Sequence, residues 1–265
     1  MAERQQDGRP QDGRLQDKVV VVAGGATGIG ATTAGRMARE GARVVVGDLN
    51  AAGAEETVAA INAAGGDAIS VAFDISDEAA VGELFAAAVA RYGGVDHLFN
   101  VAADLSADCL GRDTDIVDLG LDVWDHTMAV NLRGFVLTMR VAIPLMIERG
   151  GGAIVNTSSV AAFVGEPQRP SYAAAKAAIN ALTRHVASRW GRDGIRCNSV
   201  APGLIVAHPE KLVGNEFWEG LRERNPSGRL GVSDDIASTV VFLLSDDASY
   251  VNGQVHRVDG GIMMV

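Results

Sequence analysis

The sequence predicts an α/β protein of a single domain, built on a doubly wound parallel sheet of seven strands with helices on both faces. Short apolar runs rich in valine and isoleucine alternate along the chain with longer helix-forming stretches, and this alternation is typical of a parallel sheet. The chain has 265 residues, of which 48% are hydrophobic. That content fills one core near the upper size limit of a single domain.

Seven strand-like runs support this fold class: Lys18–Ala23, Ala42–Gly47, Ala68–Ala72, Val95–Phe99, Ala153–Asn156, Ile195–Val200 and Gln254–Val258. Parallel strands are buried on both faces, so they are continuous apolar runs rather than alternating ones. The first helix is expected over Ala31–Glu40. Residues 1–17 are rich in Gln, Asp, Gly and Arg, so we expect a flexible polar tail rather than a signal peptide, followed by one domain over 18–265.

A glycine-rich turn, Gly24-Gly25-Ala26-Thr27-Gly28-Ile29-Gly30, joins the first strand to the first helix. Glycines let the backbone approach a ligand closely, and the start of the helix offers free N–H groups and a positive dipole to a pyrophosphate. A triphosphate-binding loop would continue with Gly-Lys-Ser or Gly-Lys-Thr, which this turn lacks. The turn therefore predicts a dinucleotide site. The contacts expected there are Gly24, Thr27, Gly28, Ile29 and Gly30.

An acidic residue, Asp48, follows the second strand-like run, 18 residues after the last glycine of the turn. An acid at this place accepts hydrogen bonds from the adenosine ribose and repels a 2′-phosphate. None of Ala26, Thr27 and Asn50 offers a positive charge to that phosphate. Asp48, with Leu49 beside it, therefore predicts NAD rather than NADP as the cofactor.

A tyrosine and a lysine four residues apart, Tyr172 and Lys176, supply a candidate acid–base pair, and Ser159 lies thirteen residues before the tyrosine. Positions i and i+4 of a helix share one face, so the ammonium lies close to the phenol. At an effective dielectric of about 20, a unit charge roughly 4 Å away favours the phenolate by about 4 kcal/mol, or about three pKa units. We therefore expect the pKa of Tyr172 to fall toward neutral pH, where the group exchanges protons.

Taken together, these residues make the chain resemble the short-chain dehydrogenases/reductases from about Lys18 to Gly261. Six motifs stand in the family's order: Gly24-x-x-x-Gly28-x-Gly30, the acid of Phe73-Asp74-Ile75-Ser76-Asp77, Asn131 after Trp124-Asp125, the set Ser159, Tyr172 and Lys176, Pro202-Gly203, and Val258-Asp259-Gly260-Gly261. The resemblance implies a Rossmann-like fold and an oxidoreductase that transfers a hydride between NAD(H) and a neutral secondary alcohol or ketone.

The resemblance also implies a role for each catalytic residue. Tyr172 exchanges the proton of the substrate hydroxyl, and Ser159 hydrogen-bonds the same oxygen and stabilises its developing charge. Lys176 lowers the tyrosine pKa and holds the nicotinamide ribose, while Asn131 holds a water molecule that links Lys176 to solvent. The further cofactor contacts that it implies are Asp74 beside the adenine, and Ile75, Asn100, Ala102, Tyr172, Lys176, Pro202, Gly203 and Ile205.

The chain departs from the family pattern at three places. Ala23 stands where a threonine usually opens the glycine motif, and Asn100-Val101-Ala102-Ala103 replaces Asn-Asn-Ala-Gly. The threonine that hydrogen-bonds the nicotinamide carboxamide is replaced by Ala207, so either the backbone of 204–206 or the side chain of His208 would hold that group. None of the three changes affects the acid–base residues.

Three segments that follow strand ends are expected to form the substrate pocket: Asp104–Asp122, Ala161–Pro170 and Leu204–Gly228, the last as a mobile lid. The side chains expected around the pocket are Leu204, Ile205, Val206, Leu212, Val213, Phe217 and Trp218 in the lid, with Phe163, Val164, Glu166 and Gln168 opposite. Lys211 and Arg169 are isolated cations, which disfavours a phosphorylated substrate. The acids of the first segment either keep that loop in solvent or line the pocket.

Charge and composition narrow the classes of partner. The net charge of −10 argues against nucleic acid or an anionic membrane, since both require a basic face. No apolar run is expected to approach the roughly 18 residues that a membrane span needs. Two distant cysteines, Cys109 and Cys197, fit a reducing cytoplasm as buried or incidental thiols. The five histidines have no metal-ligand spacing, so no metal site is expected.

Two other functions share these features. A 3-oxoacyl reductase that uses NADPH has the same catalytic set but favours basic residues around the ribose, and Asp48 and Thr27 count against it. A non-enzymatic, dinucleotide-sensing regulator can have the same fold, but it has no need of Ser159, Tyr172 and Lys176 together.

The resemblance further implies a homotetramer. In it, helices around Trp124–Arg149 and Ser171–Arg189 pack across one two-fold axis, and Gly260–Val265 lies near another. A smooth helix face that permits close approach is formed by Ala173, Ala174, Ala177, Ala178 and Ala181. The same face would fit equally well inside the subunit, and the sequence leaves both possibilities open.

Overall fold

The computed structural model describes residues 13–206 and 216–264, and its centre is one parallel sheet of seven strands. The strands are β1 (Val19–Ala23), β2 (Arg43–Asp48), β3 (Asp67–Ala72), β4 (His97–Asn100), β5 (Gly152–Thr157), β6 (Ile195–Pro202) and β7 (Val255–Val258). Their order across the sheet is β3-β2-β1-β4-β5-β6-β7, and every neighbouring pair is parallel. The predicted strands are therefore confirmed, with each end within two residues of its predicted position.

Helices cover both faces of the sheet. They are α1 (Gly28–Arg39), α2 (Ala51–Ala63), α3 (Glu78–Tyr92), α4 (Leu121–Met128), α5 (Gly134–Glu148), α6 (Pro170–Trp190), α7 (Glu216–Arg224) and α8 (Ser233–Leu244). Residues of α1, α2 and α8 form the core on one face, and residues of α3, α5 and α6 form it on the other. Within β1, Val20 and Val22 pack on the first face while Val21 and Ala23 pack on the second. Both sides of the strand are buried, which explains its unbroken apolar sequence.

The winding of the chain reverses at β1, whose neighbours are β2 on one side and β4 on the other. The carboxyl ends of β1 and β4 therefore leave a crevice, which is where ligands of such sheets bind. β1 ends at Ala23, opposite Asn100 of β4. Because the glycine turn follows Ala23 directly, it lies at this crevice.

The polar tail predicted for residues 1–17 is too long. Residues 1–12 lie outside the described residues, but Leu15 is completely buried. Its backbone N–H donates to the carbonyl oxygen of Glu40 at 2.9 Å, and Arg14 forms an ion pair with the Glu40 carboxylate. The packed domain therefore includes Gly13 onward. One leucine in a polar segment does not signal such packing in the sequence.

A continuous helix from Leu121 to Glu148 consists of α4, one π-helical turn (Ala129–Arg133) and α5. By length and composition alone, this helix is apolar enough to cross a membrane. Half of its most apolar stretch is buried within the domain, where Phe135 and Met146 belong to the core beneath the sheet. Its composition is therefore explained by its place in the core.

Candidate active site

The glycine turn fits tightly between the strand ends and α1. A Cβ on Gly24, whose φ is +104°, would lie 2.4 Å from the backbone nitrogen of Ala102, and a Cβ on Gly30 would lie 1.9 Å from the carbonyl oxygen of Gly24. Only glycine fits at these two positions. Thr27 is the N-cap of α1, but its side chain makes no capping hydrogen bond, so it leaves the first N–H groups of the helix to a ligand. This cradle suits the pyrophosphate of a dinucleotide.

Asp48 is held against the glycine turn at the carboxyl end of β2. One carboxylate oxygen accepts the N–H of Ala26 and the other accepts that of Asn50, both at 2.9 Å. The side chain borders a cleft of about 480 Å³. That cleft is lined by Asp48, Leu49, Asn50, Phe73, Asp74, Ile75, Ala102, Ala103, Asp104, Ser106, His126 and Val130. Five of the predicted cofactor contacts thus share one cavity, and none of these lining residues is a lysine or an arginine.

Two of the predicted contacts have other partners for their side chains. One oxygen of Asp74 accepts the N–H of Ser76 at 2.8 Å and its hydroxyl at 2.7 Å. Asn100 is completely buried, and its amide donates to Asn156 at 2.9 Å and accepts the hydroxyl of Thr138 at 2.8 Å. The side chain of Asn100 therefore ties β4 to β5, which leaves its backbone for a cofactor.

Ser159, Tyr172 and Lys176 meet where β5 ends. The Ser159 hydroxyl accepts the N–H of Ala161 at 3.2 Å, and it is close enough to the Tyr172 side chain to lower the pKa of the phenol. Tyr172 and Lys176 lie one turn apart on α6, with Nζ of Lys176 5.6 Å from the centre of the tyrosine ring. The ammonium is buried and donates to the carbonyl oxygen of Thr157 at 2.9 Å. The structure therefore brings three of the predicted catalytic side chains together.

Burial changes the acid–base properties that the sequence predicts for this pair. It raises the pKa of Tyr172 above 10.0, although the hydrogen bond from Ser159 and the charge of Arg169 oppose the rise. Burial also lowers the pKa of Lys176 from 10.5 to about 7. The expectation that Lys176 brings the tyrosine pKa down to neutral pH is therefore wrong for this site. Spacing shows that the two groups are near each other, but it does not show how strongly burial penalises their charged forms.

The fourth predicted catalytic residue, Asn131, lies in the π-helical turn between α4 and α5 and is completely buried. Its side-chain oxygen accepts the backbone N–H of Asp104 at 3.1 Å, whereas its amide nitrogen has no hydrogen-bond partner among the residues that the structure describes. A buried donor without a partner is costly, so an ordered water or a ligand is expected beside it. The water-binding role of Asn131 stays a prediction.

Comparison with known proteins agrees with this arrangement. Residues 24–263 match a family described as enoyl-(acyl carrier protein) reductase. A probable short-chain type dehydrogenase/reductase of Bradyrhizobium diazoefficiens is 48% identical over 254 residues, which cover 95% of this chain and 89% of that protein. The chain belongs to the short-chain dehydrogenase/reductase family.

Two further similarities concern relatives with named substrates. A levodione reductase of Leifsonia aquatica is 38% identical over 258 residues, covering 94% of this chain and 95% of that one. The structure of a 7α-hydroxysteroid dehydrogenase, complexed with NADH and 7-oxo-glycochenodeoxycholic acid, superimposes with a TM-score of 0.86 at 33% identity, over 94% of this chain and 95% of that one. This short-chain dehydrogenase/reductase is thus an oxidoreductase with a nicotinamide dinucleotide cofactor and with relatives that act on alcohols and ketones.

The substrate side of this short-chain dehydrogenase/reductase begins where β6 ends. A Cβ on Gly203 would lie 2.8 Å from Cα of Asp259, so Pro202-Gly203 passes closely over the C-terminal motif. Ile205 then forms a single bridge with Gly231. Several residues of the predicted lid lie outside the described residues: Ala207, His208, Lys211, Leu212 and Val213. His208, one of the two groups expected to hold the nicotinamide carboxamide, is therefore outside the described residues.

The segment after β5 is an apolar wall with a charged rim. Phe163 and Val164 are each 40% exposed, close in sequence to Ser159. The guanidinium of Arg257 lies 5.7 Å from the centre of the Phe163 ring. Arg169 is not the isolated cation that the sequence suggests, because it forms an ion pair with Glu166.

The acidic segment after β4 contains both kinds of acid that the sequence left open, those in solvent and those packed inward. Asp108 and Asp118 are exposed, as the acids of a solvated loop are. Asp104 instead pairs with His126 at 2.9 Å beside the cleft, and Asp113 is almost completely buried. The sequence does not distinguish these acids, because their differences arise from contacts with other elements.

The same segment contributes to one group of possible metal ligands, which spacing did not predict. Asp104, Cys109 and His126 each offer a donor atom, and these atoms lie within 4.8 Å of one another. The carboxylate already bonds the imidazole, and Sγ of Cys109 lies 3.4 Å from the hydroxyl of Thr127. Such a mixed set is compatible with a divalent cation such as zinc. It includes none of the predicted catalytic residues.

Proposed function

We propose that this protein transfers a hydride between NAD(H) and a neutral secondary alcohol or its ketone, with Tyr172 as the general acid–base. One observation carries the proposal: the side chains of Ser159, Tyr172 and Lys176 meet at the same edge of the sheet as the glycine cradle. A phenol and a hydroxyl side by side can both hydrogen-bond the oxygen of a carbonyl or an alcohol, and the phenol can exchange a proton with that oxygen.

Each residue has a separate part in the proposed reaction. The nicotinamide, when bound, accepts or supplies the hydride. Tyr172 donates its proton to the ketone oxygen during reduction and takes the hydroxyl proton during oxidation. Ser159 hydrogen-bonds the same oxygen and stabilises the charge that develops on it. Lys176 stabilises the phenolate that remains, and Asn131 holds water through which the proton is replaced.

NAD is the preferred cofactor in this proposal. The support is the Asp48 carboxylate, which two backbone N–H groups fix at 2.9 Å beside the cleft. A 2′-phosphate on the ribose would meet this negative charge without a lysine or arginine among the residues that line the cleft. The related 7α-hydroxysteroid dehydrogenase holds NADH, which agrees with this preference.

The proposed substrate is neutral, largely apolar and of medium size. Phe163 and Val164 present apolar surface beyond β5, and the charges of Glu166 and Arg169 neutralise each other in their ion pair. A pocket with apolar walls and few polar groups holds such a molecule by its reacting oxygen. The relatives named for levodione and for a hydroxysteroid favour the same class of substrate.

Two other functions remain as alternatives to be tested. A 3-oxoacyl reductase that uses NADPH is favoured by the acyl-carrier description of the matched family, but Asp48 counts against NADPH. A non-enzymatic dinucleotide sensor would not need the side chains of Ser159 and Tyr172 close together. The proposal includes a cytoplasmic location, which the two free and buried thiols of Cys109 and Cys197 support.

We also propose a homotetramer that uses α5 and α6 in one interface. A groove of about 650 Å³ opens on these helices. It is lined by Val136, Met139, Arg140, Ile143, Pro144, Ile147, Glu148, Leu182, His185, Val186 and Trp190. On α6, Ala177 and Ala181 are exposed while Ala175 and Ile179 are buried. Ala173, Ala174 and Ala178 are partly exposed, so the alanine face is at least partly open to a second subunit.

A screen of secondary alcohols with NAD tests the proposed function and should include cyclic alcohols, steroid alcohols and hydroxy acids. Tyr172→Phe should still bind NADH, measured by fluorescence titration, and should lose roughly 100-fold or more in kcat. Tyr250→Phe is the matched control, because it removes the hydroxyl of a fully exposed tyrosine. Substantial activity in Tyr172→Phe, or best activity on a sugar phosphate or an acyl thioester, would contradict the proposal.

A further inference from the structure

Asp113 lies in the segment between β4 and α4, yet its carboxylate reaches the N-terminus of α6. The side chain is almost completely enclosed, with 2% of the residue exposed. One carboxylate oxygen accepts the backbone N–H of Tyr172 at 2.9 Å, and the other accepts that of Ser171 at 3.3 Å. We propose that Asp113 is a positioning residue for the reaction, which holds the first turn of α6 and with it the Tyr172 hydroxyl against Ser159.

The first turn of α6 depends on this carboxylate for its capping. The first N–H groups of a helix have no partner within the helix. Pro170, the first residue of α6, has no N–H, and the N–H of Ala173 donates to the carbonyl oxygen of Arg169 at 3.0 Å. The N–H groups of the two residues between Pro170 and Ala173, which are Ser171 and Tyr172, both donate to the Asp113 carboxylate. Arg169 occupies the usual capping position, but its side chain makes no capping bond and its φ is +66°. Asp113 thus supplies the cap that the local sequence lacks.

The backbone joins the same two segments. The N–H of Arg169 donates to the carbonyl oxygens of Asp113 at 2.9 Å and of Thr114 at 3.1 Å. The guanidinium of Arg169 pairs with Glu166 and not with Asp113. Within residues 13–206 and 216–264, the Asp113 carboxylate therefore has helix N–H groups as its partners and forms no ion pair. The positive end of the α6 dipole offsets its charge.

The position of Tyr172 along α6 explains why this cap matters for the reaction. Tyr172 is the third residue of the helix, inside the turn that Asp113 holds. Lys176 lies one turn further on and is fixed independently by the carbonyl oxygen of Thr157. Loss of the cap should therefore displace Tyr172 and leave Lys176 in place. A displacement of about 1 Å at a catalytic group costs roughly 100-fold in rate.

The experiment compares kcat per NADH-binding site in Asp113→Ala, Asp113→Asn and the unmodified enzyme, with the sites counted by fluorescence titration. Asp113→Ala should lower kcat per site by roughly 10- to 100-fold, while the Kd for NADH changes little. Asp113→Asn should recover part of the loss, because its amide oxygen still accepts an N–H. Asp118→Ala removes an exposed acid of the same segment and should leave both quantities unchanged.

A merely structural role for Asp113 predicts a different result. It would reduce the number of NADH-binding sites or the melting temperature and leave kcat per remaining site unchanged, and that outcome would overturn the proposal. An equal loss in Asp118→Ala would overturn it as well. If Asp113→Ala does not fold, Asp113→Asn decides: a lowered kcat per site at unchanged NADH affinity supports the proposal, and an unchanged kcat refutes it.

This inference rests on the proposed role of Tyr172, and the two can fail separately. Substantial activity in Tyr172→Phe would remove the proposed function whatever the Asp113 variants do. Loss of activity in Tyr172→Phe together with full kcat per site in Asp113→Ala would leave the function intact and refute only the positioning role.

Discussion

The side-chain nitrogen of Lys176 donates its hydrogen bond to the backbone carbonyl oxygen of Thr157, at 2.9 Å, inside the protein. A neutral carbonyl compensates only part of what an ammonium loses when it leaves water. The Phe135 ring, whose centre lies 5.2 Å from the same nitrogen, adds a weak attraction. Burial therefore lowers the pKa of Lys176 to about 7, so that the lysine is about half charged at neutral pH.

The lowered pKa of Lys176 predicts that stability rises with pH above neutrality. The unfolded lysine keeps its proton up to about pH 10.5, whereas the folded one loses it above about pH 7, so the unfolded state binds more protons between these values. The cost of burying the charge is complete below pH 7 and disappears as the pH rises. Between about pH 7 and about pH 8.5, this group alone should raise the free energy of unfolding by about 1.5 kcal/mol. Urea unfolding at fixed protein concentration measures the change.

Two variants isolate this contribution of Lys176. Lys176→Met lacks the titrating group and should lose the rise, whereas Lys18→Met should retain it. Tyr172 and Cys197 have ordinary pKa values of 10.0 and 9.0 that burial raises further, so their effects begin at higher pH. Equal pH dependence in Lys176→Met and the unmodified protein would show that the folded lysine stays fully charged.

Replacement of Asp48 should narrow the preference for NAD over NADP. Asp48→Asn can still accept the N–H of Ala26 but carries no charge to repel a 2′-phosphate. Exposed unit charges about 4 Å apart interact by about 1 kcal/mol in a water-like dielectric, so the ratio of kcat/KM values should fall roughly 5-fold or more. Asp67→Asn is the control, because Asp67 begins β3 and so lies at the edge of the sheet opposite to Asp48, which ends β2. It should leave the ratio of kcat/KM values unchanged. Better use of NADP by the unmodified enzyme would refute this account of Asp48.

The features that the sequence predicted well depend on residues that are close together in the chain. β1 is an unbroken apolar run that leads into glycines, and both its burial and its turn follow from that pattern. Tyr172 and Lys176 share a helix face because of their spacing alone. Although Asn100-Val101 departs from the family's sequence motif, β4 ends at Asn100, within one residue of the end that the apolar run predicts.

The features that sequence missed depend on single contacts between distant segments. Leu15 and Asp113 are buried by elements that lie far along the chain, and neither residue belongs to a periodic pattern. The pKa shifts of Tyr172 and Lys176 have the same origin, since burial is a property of the assembled site. The spacing of the two residues predicts the electrostatic attraction between their side chains. It does not predict the cost of removing both charged groups from water, which shifts the two pKa values.

The glycine cradle predicts a strong effect of one methyl group. Gly30→Ala would place its Cβ 1.9 Å from the carbonyl oxygen of Gly24, so the turn must move. We expect a loss of about 1–3 kcal/mol in the free energy of unfolding, typical of overpacking, together with weaker binding of NADH. Gly82→Ala, in the middle of α3, is the matched control, because its Cβ would meet no atom of residues 13–206 or 216–264 within 4 Å. It should raise the free energy of unfolding by about 0.5–1 kcal/mol. Unchanged NADH affinity in Gly30→Ala would show that the turn does not hold the cofactor.

The partly exposed alanine face of α6 predicts how the proposed tetramer can be broken. Ala181 is exposed in the single chain, but a charged side chain there would have to be buried in an interface between subunits, at a high cost in free energy. Ala181→Glu should therefore sediment as a smaller species than the unmodified protein at micromolar concentration. Ala59→Glu adds the same charge on the exposed side of α2, near the other end of the sheet, and should leave the sedimentation coefficient unchanged. An unmodified protein that sediments as a monomer would rule out the assembly, and an Ala181→Glu variant that stays tetrameric would place the interface elsewhere.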